Sequence, residues 1–128
     1  MEPMPDPGYL RRRLGESLRA ALNARDGIAA AALRSAMSAL DNAEAVDRSQ
    51  SLRTQGIVGE VRLGVGAGEV PRRELSTQDV LEVVRGEVED GTRAAAEYER
   101  LGRADQAIRL QAEATALESF LETVLNET

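Results

Sequence analysis

The sequence predicts an all-α fold: two helical hairpins, about four helices, joined by a long glycine-rich connection. Three observations lead there. Apolar residues recur at three- and four-residue spacing in four separate segments, the period of one helix face. Alanine, the strongest helix former, supplies 20 of the 128 residues, while aromatics make up only 2%. Helix start and stop signals also stand at the segment edges, at Asp6-Pro7, at Ser76 with Asp79, and at Gly102. The length suits a single domain, read as residues 6–128 behind a short disordered leader at 1–5.

Asp6 offers an N-cap acceptor and Pro7 suits the first helical position. Leu10, Leu14, Leu18, Ala21 and Leu22 then share a face, so the first helix is expected from roughly Pro7 to Ala24. Asp26 can cap the second helix after a very short turn. Its stripe is Ala29, Leu33, Ala36, Met37, Leu40 and Ala43, fading near Asp47. Residues 47–75 break the period with Ser49, Ser51, Gly56, Gly59, Gly64, Gly66, Gly68 and Pro71, and read as a flexible connection. Within it Val61, Leu63 and Val65 alternate with polar or glycine neighbours, as a short strand would.

Ser76 and Asp79 have capping-box spacing, with Leu75 and Val80 placed as a hydrophobic staple. The third helix carries Val80, Leu81, Val84, Val88, Ala95, Tyr98 and Leu101 on one face and stops at Gly102. Gly86 and Gly91 lie inside it, each costing about 1 kcal/mol relative to Ala, so a bend or break is expected near Gly91. The fourth helix is expected from Arg103 to about Asn126, with Ile108, Ala114, Leu117, Leu121 and Leu125 facing inward.

Composition excludes much chemistry. All 16 basic residues are Arg, and Lys, His, Cys and Trp are absent. No Cys/His zinc site, disulfide, Cys or His nucleophile, Lys Schiff base or P-loop lysine can be built. Neither a catalytic residue nor a metal or cofactor site is expected. The all-Arg bias is most simply GC-rich codon usage. No apolar run of about 18 residues is present and the N-terminus lacks signal-peptide features, so a cytoplasmic location without membrane contact is expected. The net charge of −6 is uneven. Residues 1–25 hold five Arg against three acids, 47–75 five against four, and 76–128 five against twelve.

Several motifs have plain readings. Gly64-Val65-Gly66-Ala67-Gly68 fits neither the dinucleotide fingerprint nor the P-loop, because its third glycine comes early and no Lys follows; it reads as linker. The acids Glu82, Glu87, Glu89, Asp90, Glu97 and Glu99 read as a solvated helix face, since inward carboxylate metal sites of helical bundles use Glu-x-x-His pairs. The stretch from Ala95 to Glu113 has the flavour of a tetratricopeptide turn, but nothing matches about 34 residues upstream, so a single hairpin explains it better. Arg11-Arg12-Arg13 and Arg72-Arg73 are candidate phosphate contacts. Successive helical residues are turned by about 100°, so the triplet cannot form one flat patch, and there is no aromatic interleaving for base stacking.

Taken in order, these motifs resemble the GatB/YqeY family: small YqeY-like proteins related to the C-terminal region of the B subunit of the tRNA-dependent amidotransferase. The resemblance covers roughly residues 9–122. It rests on Asn23-Ala24-Arg25-Asp26, Leu33-Arg34, Ser38 to Glu44, Leu75-Ser76, Asp79-Val80, Glu87-Val88, Ala95 to Tyr98 and Leu101-Gly102-Arg103. The set is fairly specific, though no single piece is. Where family members carry Tyr-Leu-Pro and a tail subdomain, Phe120-Leu121 is followed here by Glu122. The expectation is therefore the N-terminal helical subdomain without the tail. The Gly-rich stretch 56–70 is also longer and less charged than the usual linker.

The resemblance implies a link to tRNA or to tRNA-dependent amidation, under the family label of carbon–nitrogen ligase activity with glutamine as amido-N-donor. In the amidotransferase the chemistry lies in other domains. The expected function is thus a non-catalytic accessory whose partner is tRNA or an amidotransferase or translation component, with Arg11, Arg12, Arg72 and Arg73 as phosphate contacts. The alternative is a protein-interaction module or homo-oligomer with no nucleic-acid role, using the acidic helices or the Val61/Leu63/Val65 segment.

Overall fold

Side-chain chemistry sets the helix ends. In the computed structural model, which describes the backbone of residues 6–54 and 75–127 and the side chains of 6–45 and 75–127, four helices follow one another. They are α1 (Pro7–Asn23), α2 (Gly27–Thr54), α3 (Thr77–Arg100) and α4 (Ala104–Asn126). The leader 1–5, the candidate strand at Val61/Leu63/Val65, the Gly64–Gly68 run, Arg72 and Arg73 lie outside the described residues.

Asp6 accepts from the Tyr9 N–H at 2.7 Å with Pro7 behind it, and Asp26 accepts from the Ala29 N–H at 3.0 Å. Ser76 and Asp79 form the full capping box: Ser76 Oγ accepts the Asp79 N–H at 3.0 Å and Asp79 Oδ2 accepts the Ser76 N–H at 3.1 Å. Leu75 and Val80 are both buried in the core beside it. α2 runs on to Thr54, past the expected fade at Asp47. The stretch 47–54 contains neither Gly nor Pro, and extending a helix costs far less than nucleating one.

Both hairpins turn in the same way. Asp26 N–H bonds to Ala21 O at 2.8 Å and Arg25 N–H to Leu22 O at 3.1 Å, while Arg103 N–H bonds to Tyr98 O at 2.8 Å and Gly102 N–H to Glu99 O at 3.1 Å. These are paired Schellman closures, and each needs a left-handed residue at its centre. Gly102 takes it at φ 78°, and Arg25 takes it at φ 59°, where a Cβ is unfavourable.

The N-terminal end of α1 meets the C-terminal end of α4 through Arg13 and Glu127. Farther along, Ala20 faces Ala116 across a shallow cleft. The two helices are therefore antiparallel, and both hairpin turns lie at one end of the bundle. The core combines Leu10, Leu14, Leu33, Leu40, Leu81, Val84, Leu117, Phe120 and Val124 with Ala21, Ala30, Ala32 and Ala36. The alanines let helix backbones approach closely, and no described buried residue is polar or charged.

Expectations at Gly91, Leu22, Leu101 and Ile108 are corrected. α3 runs unbroken through Gly91: the helix packs on α4 there, a built Cβ lying at an ordinary contact distance of 3.4 Å from the Ala114 Cβ, and tertiary packing overrides the local propensity cost. Leu22, Leu101 and Ile108 face solvent instead of the core, Leu101 at 60% and Ile108 at 68% exposure. Each stands near a hairpin turn, where fewer helices are present to cover it. α4 buries Ala107, Phe120 and Val124 instead of Ile108. Among the described residues, no helix is long and apolar enough to cross a membrane.

Gly86 sits in mid-helix with nothing within 4 Å of a built Cβ, whereas Gly102 holds a positive φ. Gly86→Ala is expected to stabilise the chain by about 1 kcal/mol, and Gly102→Ala to destabilise it by about 1 kcal/mol or more. Urea midpoints at fixed pH check both; shifts of the same sign would contradict the assignment of Gly102 to a left-handed turn.

Candidate nucleic-acid interface

The three consecutive arginines of α1 point three ways, as helical rotation requires. Arg11 turns toward α2: its Nη2 donates to Glu44 Oε2 at 2.7 Å, and its Nη1 lies 3.6 Å from Asp41 Oδ1. Arg13 turns toward the end of α4, with Nε donating to Glu127 Oε1 at 3.1 Å and Nη2 to Oε2 at 2.8 Å. This planar fork-to-carboxylate pairing is what guanidinium geometry favours. Its Nη1 also lies 3.4 Å from Glu16, and the Tyr9 hydroxyl donates to Glu127 Oε1.

The Arg13 hydrogen bonds, joined by that of Tyr9, hold the Glu127 carboxyl below its usual range. In return, the Glu127 carboxylate raises the Tyr9 phenol above its ordinary value and pushes the Arg13 guanidinium further up. Glu127 caps the C-terminal end of α4, where the helix dipole disfavours a negative charge. Arg13 compensates for it there.

Arg12 alone of the triplet points outward. Its guanidinium carbon lies 6.0 Å from the Tyr9 ring centroid, at the outer limit of a cation–π contact. Arg19 follows seven residues later on the same face, about 10 Å along the axis. A Cβ on Gly8 would stand 3.5 Å from Arg12 Nη1, and one on Gly15 3.9 Å from Arg19 Nη1. Each arginine therefore leans back over a glycine one turn before it, the direction in which helical side chains tilt. Among the described residues neither forms an ion pair.

The sequence-predicted contacts thus separate. Arg12 is presented to solvent, Arg11 is held by Glu44 and Asp41, and Arg72 and Arg73 lie outside the described residues. Arg19 was missed, although Gly8…Arg12 and Gly15…Arg19 repeat the same four-residue offset at a heptad interval.

A second feature lies on the opposite side of the charge balance. Ser35 of α2 faces Glu87, Asp90 and Gly91 of α3 and Glu113 of α4 across a cleft of about 220 Å³. Glu87 is half-buried there, unlike the solvated acids expected around it. Burial raises its carboxyl above the ordinary value, and the neighbouring charge of Asp90 adds to the shift. Among the described residues no group of three His, Cys, Asp or Glu side chains is placed to hold a metal ion.

Compared with known proteins, the chain matches no family model, and no curated protein matches it.

The two shifted carboxyls give opposite pH signatures. Glu127 is lowered, so its contribution to stability is full above the unfolded value near ~4.3 and is lost as pH falls through the folded value. Glu127→Gln is expected to lower the melting temperature at neutral pH and to change little once acid has protonated the folded carboxyl. Glu87 is raised, so its ionised form opposes folding as pH rises through and above the folded value. Glu87→Gln is expected to raise the melting temperature at neutral pH, with the gain vanishing below about pH 4. Calorimetric scans across pH check each sign.

Proposed function

We propose that this chain is a YqeY-like, non-catalytic accessory that binds tRNA through the outer face of α1, in the setting of tRNA-dependent amidation or translation. The observation that carries this reading is the pair Arg12 and Arg19: same helix face, exposed, and without a carboxylate partner among the described residues. Guanidinium forks suit phosphate oxygens because the planar donors reach two oxygens at once. Residues 1–25 are net positive, while residues 76–128 carry twelve acids against five Arg. That asymmetry orients the molecule, with α1 toward a polyanion and the acidic hairpin away from it. The order of motifs resembling the GatB/YqeY family selects tRNA among polyanions.

The proposed mechanism is electrostatic gripping without chemistry. Arg12 and Arg19 displace condensed cations from phosphates, and Arg72 and Arg73 are further candidates for the same role. Arg11 and Arg13 act indirectly: by tying α1 to α2 and α4 they hold the angle at which Arg12 is presented. Catalytic groups for amide transfer would come from a partner subunit.

Each lost phosphate contact reduces the slope of log affinity against log salt by about 0.7–0.9. The double variant Arg12→Ala/Arg19→Ala is therefore expected to bind tRNA about tenfold more weakly near 50 mM salt, with that slope shallower by about 1.5. Arg11→Ala should lower thermal stability and leave the slope nearly unchanged. Fluorescence anisotropy with labelled tRNA measures all three proteins. Absence of binding at low salt, or binding that survives about 500 mM salt unchanged, removes the proposal.

A further inference from the structure

Beyond the turn between α1 and α2, the α3–α4 hairpin continues alone. Its groove there is lined only by α3 and α4, with Ala95 and Ala107 as floor and Ala96, Ala104 and Ile108 among its walls, enclosing about 380 Å³. On each helix the lining positions follow the i, i+3, i+4, i+7 pattern: 92, 95, 96 and 99 on α3, and 104, 107, 108 and 111 on α4. That is the spacing of a helix face made to meet another helix. Among the described residues, Ile108 and, at the turn, Leu101 are the two most exposed of the large apolar side chains.

We propose that this projecting end of the hairpin pairs with the same surface on a second copy of the chain, two hairpins closing into a four-helix contact. Charge decides for a second copy. Residues 92–111 hold four Arg against three acids, whereas 76–91 hold one Arg against five acids and 112–128 hold four acids and no Arg. Two molecules of net charge −6 repel over most of their C-terminal halves, but this end is close to neutral. It also carries both signs unpaired: among the described residues Arg103, Glu99 and Asp105 form no ion pair. A two-fold contact brings each such group opposite the other copy's surface, so opposite charges can be matched reciprocally.

The size sets the strength. The lining positions span eight residues of each helix, 92–99 and 104–111, roughly 12 Å of length, and a two-helix face of that length buries well under about 1,000 Å² in total. This is the small end of specific interfaces, so the dimer is weak and reversible. The proposal does not depend on tRNA binding, which uses α1.

Sedimentation equilibrium on the full chain without RNA tests it, over about 5 to 500 µM, where a small interface is expected to populate both species. The average mass should rise from one chain toward two across that range. Ile108→Asp should weaken association about tenfold or more, and Arg103→Glu should weaken it and reduce its salt sensitivity. Both positions are exposed, so circular dichroism should show unchanged helicity. Leu22→Ser, at the α1–α2 turn, should leave association unaltered. A strict monomer at every concentration overturns the proposal, as does a dimer indifferent to Ile108→Asp.

Discussion

Everything in this bundle leans on the two turns of α1 that bury Leu10 and Leu14. α1 is the shortest helix, yet it packs against each of the other three. Its two leucines are almost completely removed from water, each worth about 2 kcal/mol by transfer arithmetic. The core around them holds many alanines and one phenylalanine, so few large side chains share the work of closing it. Without α1 the face of α2 that it covers would lie open to water.

The same two turns organise the charges. Because the apolar pair faces inward, Arg11 and Arg13 must flank it and Arg12 must face away. The flanking arginines find carboxylates on α2 and at the end of α4, turning an otherwise repulsive row of cations into ties between elements. Tyr9 joins the second tie through Glu127, so the N-terminal turn of α1 is held to the C-cap of α4 by one shared carboxylate. The remaining arginines on that face, Arg12 and Arg19, are left to solvent. What is available for a polyanion is therefore a by-product of how the core is closed.

Helix starts and stops were legible wherever a local residue makes its own bond. Asp6, Asp26, Ser76 with Asp79, and Gly102 each act on backbone within a few residues, and each holds its expected place. Burial along the stripes was legible only in part. Leu22, Leu101 and Ile108 keep helical phase with their stripes, but periodicity cannot say how far a neighbouring helix extends. Gly91 carried the reverse ambiguity: its flexibility suggested a break, while the packing of α3 against α4 at Ala114 keeps the helix continuous. Arg25 in a left-handed turn had no signal of its own, since the residue type argues against that conformation. The outward direction of Arg12 follows from helical rotation, but that Arg11 is held could not be read locally, because its ion-pair partners lie 30 or more residues away.

The all-α class, the hairpin order, the caps and the asymmetry between a basic first helix and an acidic second half are written in the order of the residues. These follow from short-range hydrogen bonding, propensity and composition, which need no knowledge of neighbours. Helix packing alone settles which arginines are held and which are presented, the half-burial of Glu87 beside Asp90, and the α3–α4 hairpin running on past its companions. Those outcomes depend on relative helix length and register. Both are set by where the large side chains of different helices meet, and no local pattern encodes that.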